Sequence, residues 1–107
     1  MQIVATYGQI PQPEAAFPAQ DIAIETENYR TIEICFIVAV NGKYMNLGLV
    51  IDKRRAYKHG GAWNAIIRYG AYERSAAVYD NKISFSDCKY GVNYNEKLIP
   101  YSIHAFE

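Results

Sequence analysis

The sequence of 107 residues has few of the side chains on which most enzymes and metal proteins depend. It contains two cysteines, two histidines and one tryptophan. Cys35 and Cys88 belong to no CxxC pair, and His59 and His104 stand alone, so the spacings typical of a zinc site are missing. No GxSxG, P-loop or HExxH pattern occurs. We therefore expect a protein with no metal, no cofactor and no enzymatic activity.

A long hydrophobic run and a net charge are also missing. The longest apolar run, Ile34 to Val40, is far shorter than the ~18 residues of a membrane-spanning helix. The N-terminus lacks the basic start and apolar core of a signal peptide. Eleven basic residues balance 11 acidic ones, which argues against a generic nucleic-acid binder. These absences predict a cytoplasmic protein without a membrane partner.

What the chain does have is the composition of a folded domain. Half of its residues are hydrophobic, and its length suits a single domain over residues 1–107. Cys35 lies inside the apolar run, where we expect a buried thiol that packs as a small apolar side chain. His104 lies in an apolar segment near the C-terminus, where a hydrogen-bonded residue of an edge strand is commoner than a catalytic base.

The clearest local pattern is a β-hairpin. Ile32, Ile34 and Phe36 begin an alternation that places an apolar residue at every second position as far as Val40. Asn41-Gly42 then supplies the residue types that a two-residue type I′ turn requires. We therefore predict a strand from Thr31, a turn at Asn41-Gly42 and a return strand from Lys43 through Ile51.

Weaker patterns predict further strands. Asp80-Asn81 is predicted to form a second tight turn between the segments 76–79 and 82–85. Leu98 to Phe106 is predicted to be a closing strand, with Pro100 at its start or at a sheet edge because proline donates no backbone hydrogen bond. Two further candidates are Ile3 to Tyr7 and Ile22 to Glu25.

Three prolines mark the segment Gln9 to Gln20 as a loop. A single helical turn over Glu14 to Phe17 would be compatible with it. The ring of Phe17 is expected to attach this loop to the body of the domain.

The segment Ala62 to Ala77 fits two structures. Trp63, Ile66, Ile67, Gly70 and Arg74 have the spacing of a helix face, whereas Trp63, Ala65, Ile67 and Tyr69 alternate as in a strand. The strand interpretation gives a mainly β fold, an antiparallel sheet of sandwich or barrel type with at most one short helix. The alternative is an α+β fold with a helix near residues 62–77.

A basic segment follows the predicted hairpin and is the first candidate binding site. Cationic side chains with an aromatic ring between them suit single-stranded nucleic acid, because cations bind phosphates and rings stack on bases. The residues are Lys53, Arg54, Arg55, Tyr57 and Lys58. A protein partner is the other use for such a segment.

Ten tyrosines are the second anomaly. Most are expected to pack on a sheet, for which tyrosine has a high propensity. The segment Tyr90-Gly91-Val92-Asn93-Tyr94-Asn95 nevertheless has the composition of a recognition loop, since tyrosine is enriched at interfaces. We therefore expect Tyr90 and Tyr94 to contact a ligand.

The leading functional hypothesis is a non-catalytic protein that occupies the surface of a macromolecular partner, most readily a protein. A small domain of this kind is typical of phages and mobile elements, which use such proteins to inhibit a host defence system or enzyme. The first alternative is binding of single-stranded nucleic acid or a nucleotide through residues 53–59. The second is binding of a small molecule or carbohydrate in a pocket lined by Trp63 and tyrosines. A homodimer formed through an edge strand is a further candidate assembly.

Overall fold

The computed structural model describes residues 3–7, 16–40 and 42–106, and within these ranges it is an all-β protein of two antiparallel sheets. The strands, in chain order, are β1 (Ile3–Tyr7), β2 (Gln20–Ala23), β3 (Thr31–Val40), β4 (Lys43–Asp52), β5 (Tyr57–His59), β6 (Ala62–Tyr69), β7 (Tyr72–Val78), β8 (Lys82–Phe85), β9 (Lys89–Tyr90), β10 (Val92–Asn93) and β11 (Ile99–Phe106). The four-stranded sheet A has the order β1-β11-β3-β4. The seven-stranded sheet B has the order β10-β9-β7-β6-β5, and β8 joins β2 to β7.

The predicted hairpin is confirmed as β3 and β4. Its register runs without interruption from the pair Thr31–Asp52 to the pair Val40–Lys43, which leaves a two-residue loop. Gly42 in that loop has a φ of 75°, a left-handed conformation that glycine adopts without steric cost. The backbone of Asn41 lies outside the described residues, so the predicted turn type stays a prediction.

The helix alternative for residues 62–77 is wrong. This segment forms β6 and β7, which pair from Trp63–Val78 to Tyr69–Tyr72 around a two-residue turn at Gly70-Ala71. Gly70 has a φ of 60°, the positive value that a type II′ turn needs at its first central position. The spacing resembled that of a helix because Gly70, which belongs to the turn, lies seven residues after Trp63.

The other strand predictions hold with shifted bounds. The turn at Asp80-Asn81 is confirmed by the hydrogen bond from the Tyr79 N–H to the Lys82 carbonyl, 2.9 Å. The closing strand is β11, and the candidate at residues 22–25 is β2, which begins and ends two residues earlier. Strand β11 lies between β1 and β3. His104 is therefore a residue of an interior strand, and its predicted edge position is wrong.

The proline-rich segment is described only from residue 16, so the helical turn predicted over Glu14 to Phe17 lies largely outside the described residues. Phe17 is buried, and its ring packs edge-on against Phe85 with centroids 5.6 Å apart. Its N–H donates to the Asn95 carbonyl at 2.9 Å. The predicted attachment of this segment through Phe17 is thus confirmed.

The core lies between the two sheets. Four alternating residues of β3 point inward and are fully buried: Ile32, Ile34, Phe36 and Val38. Phe36 and Phe85 meet across the sheets with their rings 6.2 Å apart and nearly perpendicular. The opposite face of β3, with Glu33 and Cys35, is only partly covered. The fold is therefore a two-sheet β-sandwich, as the alternation predicted.

Strand β3 is paired on both sides, by β11 and β4. Within the described ranges, β4 pairs with β3 alone, and its residues Tyr44 and Met45 are exposed. Any homodimer formed through an edge of sheet A would therefore use an outer strand, β1 or β4, rather than β3. The residues that the structure describes contain no helix with the length and hydropathy needed to cross a membrane.

Arg74 is a charged side chain in the middle of the core. It lies on β7, is fully buried, and donates hydrogen bonds to four backbone carbonyl oxygens. These belong to Leu98 (2.8 Å), Phe17 (2.9 Å), Ser86 (2.7 Å) and Lys97 (3.2 Å). Burial lowers the pKa of the guanidinium, but arginine keeps its proton in proteins. One side chain thereby joins sheet B to the loop before β2 and to the segment that leads into β11.

A second polar cluster fixes the loop before β9. The Asp87 carboxylate accepts hydrogen bonds from the Ala19 N–H at 2.9 Å and from the side-chain amides of Asn93 at 3.3 Å and Asn95 at 3.0 Å. The Asn95 side-chain oxygen accepts from the Cys88 N–H at 2.8 Å. The hydrogen bond from Ala19, followed by that from Asn95, holds the pKa of Asp87 below its ordinary value. This cluster connects the two ends of the segment that carries β9 and β10.

The substitution Phe36→Ala tests the packing between the sheets. We expect it to reduce the free energy of unfolding by about 3–5 kcal/mol, because it leaves a cavity under a fully buried ring. Val50→Ala, at a side chain that is 59% exposed on β4, is the control and should change stability by no more than about 0.5 kcal/mol. Urea unfolding measures both. A cost below about 1 kcal/mol for Phe36→Ala would contradict the assigned core.

The substitution Asp87→Asn tests the polar cluster through its pH dependence. Because the folded-state pKa lies below the unfolded value near 3.8, the Asp87 charge stabilises the fold above that pH. Its contribution is lost as the pH falls through the lowered pKa. We expect Asp87→Asn to be less stable than wild type at pH 7 and to lose less stability between pH ~5 and ~2. Melting temperatures across this range measure the effect, with Glu25→Gln as a control for charge. Parallel curves for wild type and Asp87→Asn would refute the assignment.

Candidate functional site

The basic segment lies at the turn that follows β4. Its cationic side chains differ in whether they are already paired within the chain. Arg54 forms a bidentate ion pair with Asp52, with both nitrogen–oxygen distances 3.0 Å. This pairing raises the pKa of Arg54 and lowers that of Asp52. The pair is largely solvent-exposed and therefore contributes little to stability. The charge of Arg54 is already balanced within the chain.

Lys53 and Lys58 both contact Trp63 rather than standing free in a loop. Their ammonium nitrogens lie 4.6 and 4.3 Å from the centroid of the indole ring. The indole N–H donates to the Lys53 carbonyl at 3.1 Å, and the Lys53 ammonium donates to the carbonyl of Thr26. Burial lowers the pKa of Lys53, and the nearby charge of Lys58 lowers it further. Trp63 thus makes cation–π contacts with two lysines, a role that the sequence pattern did not predict.

Tyr57 and His59 are the accessible rings of this region. They stack with centroids 6.0 Å apart and planes 10° from parallel. The side chain of Tyr57 is 70% exposed, and Arg55 and Lys58 are exposed beside it in sequence. Tyr57 and His59 share one face of β5, whereas Lys58 points to the opposite face, where its ammonium lies over Trp63.

Tyr90 and Tyr94 form a separate cluster at the other end of sheet B. The ring of Tyr72 contacts both, with centroids 4.8 Å from Tyr90 and 5.6 Å from Tyr94. Tyr90 is 52% exposed and Tyr94 is 43% exposed. Burial raises the pKa of the Tyr72 hydroxyl, and its two tyrosine neighbours raise it further. We call Tyr72, Tyr90 and Tyr94 the tyrosine cluster.

The exposed apolar surface continues beyond the tyrosine cluster. Tyr69 is paired with Tyr72 across the β6–β7 turn, so the two side chains lie on one face of sheet B. The Tyr69 hydroxyl lies 3.6 Å from the sulfur of Met45, an exposed residue of β4. The sequence patterns did not identify Met45, Tyr69 or Tyr72 as site residues, because their proximity depends on the β6–β7 turn and on the packing of β4 against the other sheet.

The eight predicted site residues therefore belong to two sites. Trp63 and Tyr69 begin and end the same face of β6, six residues apart, which corresponds to roughly 20 Å along a strand. The cationic site lies at the Trp63 end of β6, and the tyrosine cluster lies at the Tyr69 end. The cationic site comprises Lys53, Arg54, Arg55, Tyr57, Lys58 and Trp63. The structure does not bring the two predicted segments together.

A polar cluster on the outer face of sheet A was missed by the sequence patterns. Glu33 and Cys35 of β3 pair directly with His104 and Ser102 of β11. The Cys35 thiol lies 3.7 Å from a Glu33 carboxylate oxygen, and the Ser102 hydroxyl lies 3.1 Å from Nε2 of His104. The ligand atoms of Glu33, Cys35 and His104 all lie within 4.8 Å of one another. The sequence shows Glu33 and Cys35 at two-residue spacing, and Ser102 and His104 likewise. It does not show the strand register that places these two pairs side by side.

The electrostatics of this cluster do not suit a nucleophilic cysteine. Burial raises the pKa of the Cys35 thiol, and the negative charge of Glu33 raises it further. Nucleophilic cysteines need a lowered pKa, since the thiolate is the reactive form. Cys35 is only partly buried, so the expected fully apolar environment is wrong, whereas Cys88 is fully buried.

A shallow cavity of about 360 Å³ opens between β4 and β6. Its lining residues are Val50, Ile51, Asp52, Arg55, Ala56, Asn64 and Ala65. Arg55 is the one predicted site residue in this lining, and neither Trp63 nor a tyrosine belongs to it. The cavity thus differs from the aromatic pocket expected for a small molecule or carbohydrate.

Comparisons with known proteins leave the site geometry as the guide to function. The chain matches no protein-family model, no curated protein and no solved structure.

Proposed function

We propose that this protein binds a protein partner through the tyrosine cluster and acts by occupying the partner's surface. The observation that carries the proposal is the accessibility of Tyr90 and Tyr94 on a rigid support. Tyrosine is enriched at protein interfaces because it gives a large contact area and freezes few rotatable bonds on binding.

The support of the tyrosine cluster suits rigid contact. The N–H of Tyr94 donates to the Cys88 carbonyl at 2.6 Å, and Asn95 is held by Asp87. Tyr90 and Tyr94 both pack on Tyr72, whose strand β7 lies inside sheet B. A preformed surface loses little conformational entropy on association, which favours tight binding.

The surface around the tyrosine cluster adds apolar area of a suitable kind. Val92 at the tip of the β9–β10 hairpin is exposed, and so is Met45 beside Tyr69. Methionine adapts its shape to a partner because its side chain is unbranched and polarizable. The cluster thus combines rigid aromatic anchors with an adaptable border.

The finer expectation, an inhibitor of a host defence system or enzyme encoded by a phage or mobile element, stays a prediction. It depends on the size of the domain and on the residue types that the sequence lacks. The tyrosine cluster is compatible with it, because an inhibitor of this kind needs a contact surface and no chemistry of its own.

We expect the double substitution Tyr90→Ser with Tyr94→Ser to weaken binding to the captured partner by more than 100-fold. Interface anchors of this type each contribute about 2 kcal/mol or more, and 1.4 kcal/mol corresponds to tenfold in affinity. The partner would be captured with the tagged wild-type protein from cells that produce it and then titrated, purified, against each variant.

Tyr57→Ser is the matched control, because Tyr57 is a more exposed tyrosine at the opposite end of β6. It should bind like the wild type, and melting curves should show all variants folded. Unchanged affinity of the double variant would refute the proposal. Loss of binding in Tyr57→Ser alone would transfer the interface to the cationic site.

A second candidate, binding of single-stranded nucleic acid, is favoured by the exposed stacked pair Tyr57–His59, which the exposed Arg55 precedes closely in the sequence. It predicts binding to short labelled single strands that weakens with salt, with a log–log slope of about −0.7 for each phosphate contact. Arg55→Ala should reduce this slope by about 0.7, whereas Arg54→Ala should not, because Arg54 is paired with Asp52. No binding at low ionic strength would rule out this candidate.

A further inference from the structure

The polar cluster on the outer face of sheet A is separate from both contact sites. Glu33 and Cys35 occupy alternate positions of β3 on the face opposite to the buried Ile34 and Phe36. Paired residues of antiparallel strands share a face, so His104 lies beside Glu33 on that outer face. The cluster therefore needs an explanation other than partner binding through tyrosines.

The three side chains have the spacing of ligands on one tetrahedral metal ion. With bonds of about 2.3 Å to sulfur and 2.0–2.2 Å to oxygen, a tetrahedral Zn²⁺ holds its sulfur and oxygen ligands roughly 3.6 Å apart. The Cys35 sulfur and the Glu33 Oε1 lie 3.7 Å apart. All three ligand atoms, including the His104 nitrogen, fall within 4.8 Å of one another.

His104 has the hydrogen bonding of a ligating histidine. Its Nε2 lies 3.1 Å from the Ser102 hydroxyl, while its Nδ1 is buried and has no hydrogen-bond partner among the described residues. Histidines that bind metals usually use one ring nitrogen as the ligand and donate the other N–H to an orienting group. In the tautomer protonated at Nε2, Ser102 orients the ring and Nδ1 keeps its lone pair available.

We propose that Glu33, Cys35 and His104 bind one Zn²⁺ ion, with a water molecule as the fourth ligand. A thiolate, an imidazole and a carboxylate together suit Zn²⁺, whereas Mg²⁺ and Ca²⁺ prefer sites made of oxygen alone. On binding, the S–H bond of Cys35 breaks, a sulfur–zinc bond forms, and the proton goes to solvent. The site differs from sequence-motif zinc sites because its ligands come from two strands that are distant in the chain.

Titration of the reduced, metal-free full chain with Co²⁺ tests this proposal directly. Cobalt reports thiolate ligation by a charge-transfer absorption in the near ultraviolet, and added Zn²⁺ should displace it. We expect saturation at one Co²⁺ per chain, loss of the absorption in Cys35→Ser, and its retention in Cys88→Ala, the control at the second cysteine. Ser102→Ala should retain the absorption but weaken metal binding by about 10–100-fold.

The shift in melting temperature on adding Zn²⁺ is a second test, which does not depend on the folding of Cys35→Ser. Zn²⁺ should raise the melting temperature of the wild type, because a ligand that binds only the folded state stabilises it. Glu33→Gln and His104→Gln should fold without metal and show a much smaller rise. Absence of one-to-one binding, an absorption that depends on Cys88, or equal shifts in all variants would each overturn the site. Partner binding by the tyrosine cluster would be unaffected by these outcomes.

Discussion

The buried guanidinium of Arg74 is the interaction on which the rest of the structure depends. Burying a charge costs several kcal/mol unless its hydrogen bonds are satisfied. Arg74 meets this requirement with carbonyl oxygens, and no carboxylate in the described part of the chain forms an ion pair with it. The carbonyls come from three segments that are distant in the sequence: the loop at Phe17, the turn at Ser86 and the entry to β11 at Lys97 and Leu98. Leu98 also has a φ of 51°, a costly conformation for leucine, and its buried carbonyl oxygen accepts the hydrogen bond from Nε of Arg74.

This network determines where the proposed interface lies. Tyr90 and Tyr94 of the tyrosine cluster lie in the segment between Ser86 and Lys97, whose two ends are hydrogen-bonded to Arg74. Within that segment, Asp87 and Asn95 fix the backbone by further hydrogen bonds. The short strands β9 and β10 contain two residues each and would be marginal by themselves. Their position therefore depends on polar contacts beneath them rather than on their own pairing.

Local patterns predicted much of the fold and little of the sites. The β3–β4 hairpin was predictable because alternation and a two-residue turn lie within a single stretch of sequence. The burial of Arg74 was not, because the sequence patterns placed this residue only at the spacing of a possible helix face, and its inward position depends on the pairing of β7 with β6 and β8. The same limit applies to Cys35 and His104, which are joined by a strand register that depends on the whole sheet. The basic segment was found, but neighbours in space, Asp52 and Trp63, decide which of its cations remain available.

The most direct measurement is the free energy of unfolding of Arg74→Met, which keeps an unbranched side chain but removes every donor. The account predicts a loss of at least about 3 kcal/mol, because two buried and two partly buried carbonyl oxygens lose their partner, and each unsatisfied buried group costs about 1–3 kcal/mol before relaxation. A loss of less than about 1 kcal/mol, within the range of an ordinary point substitution, would contradict it. Such a result would mean that packing between the sheets and the hydrogen bonds of Asp87 and Asn95 hold the three segments together without Arg74.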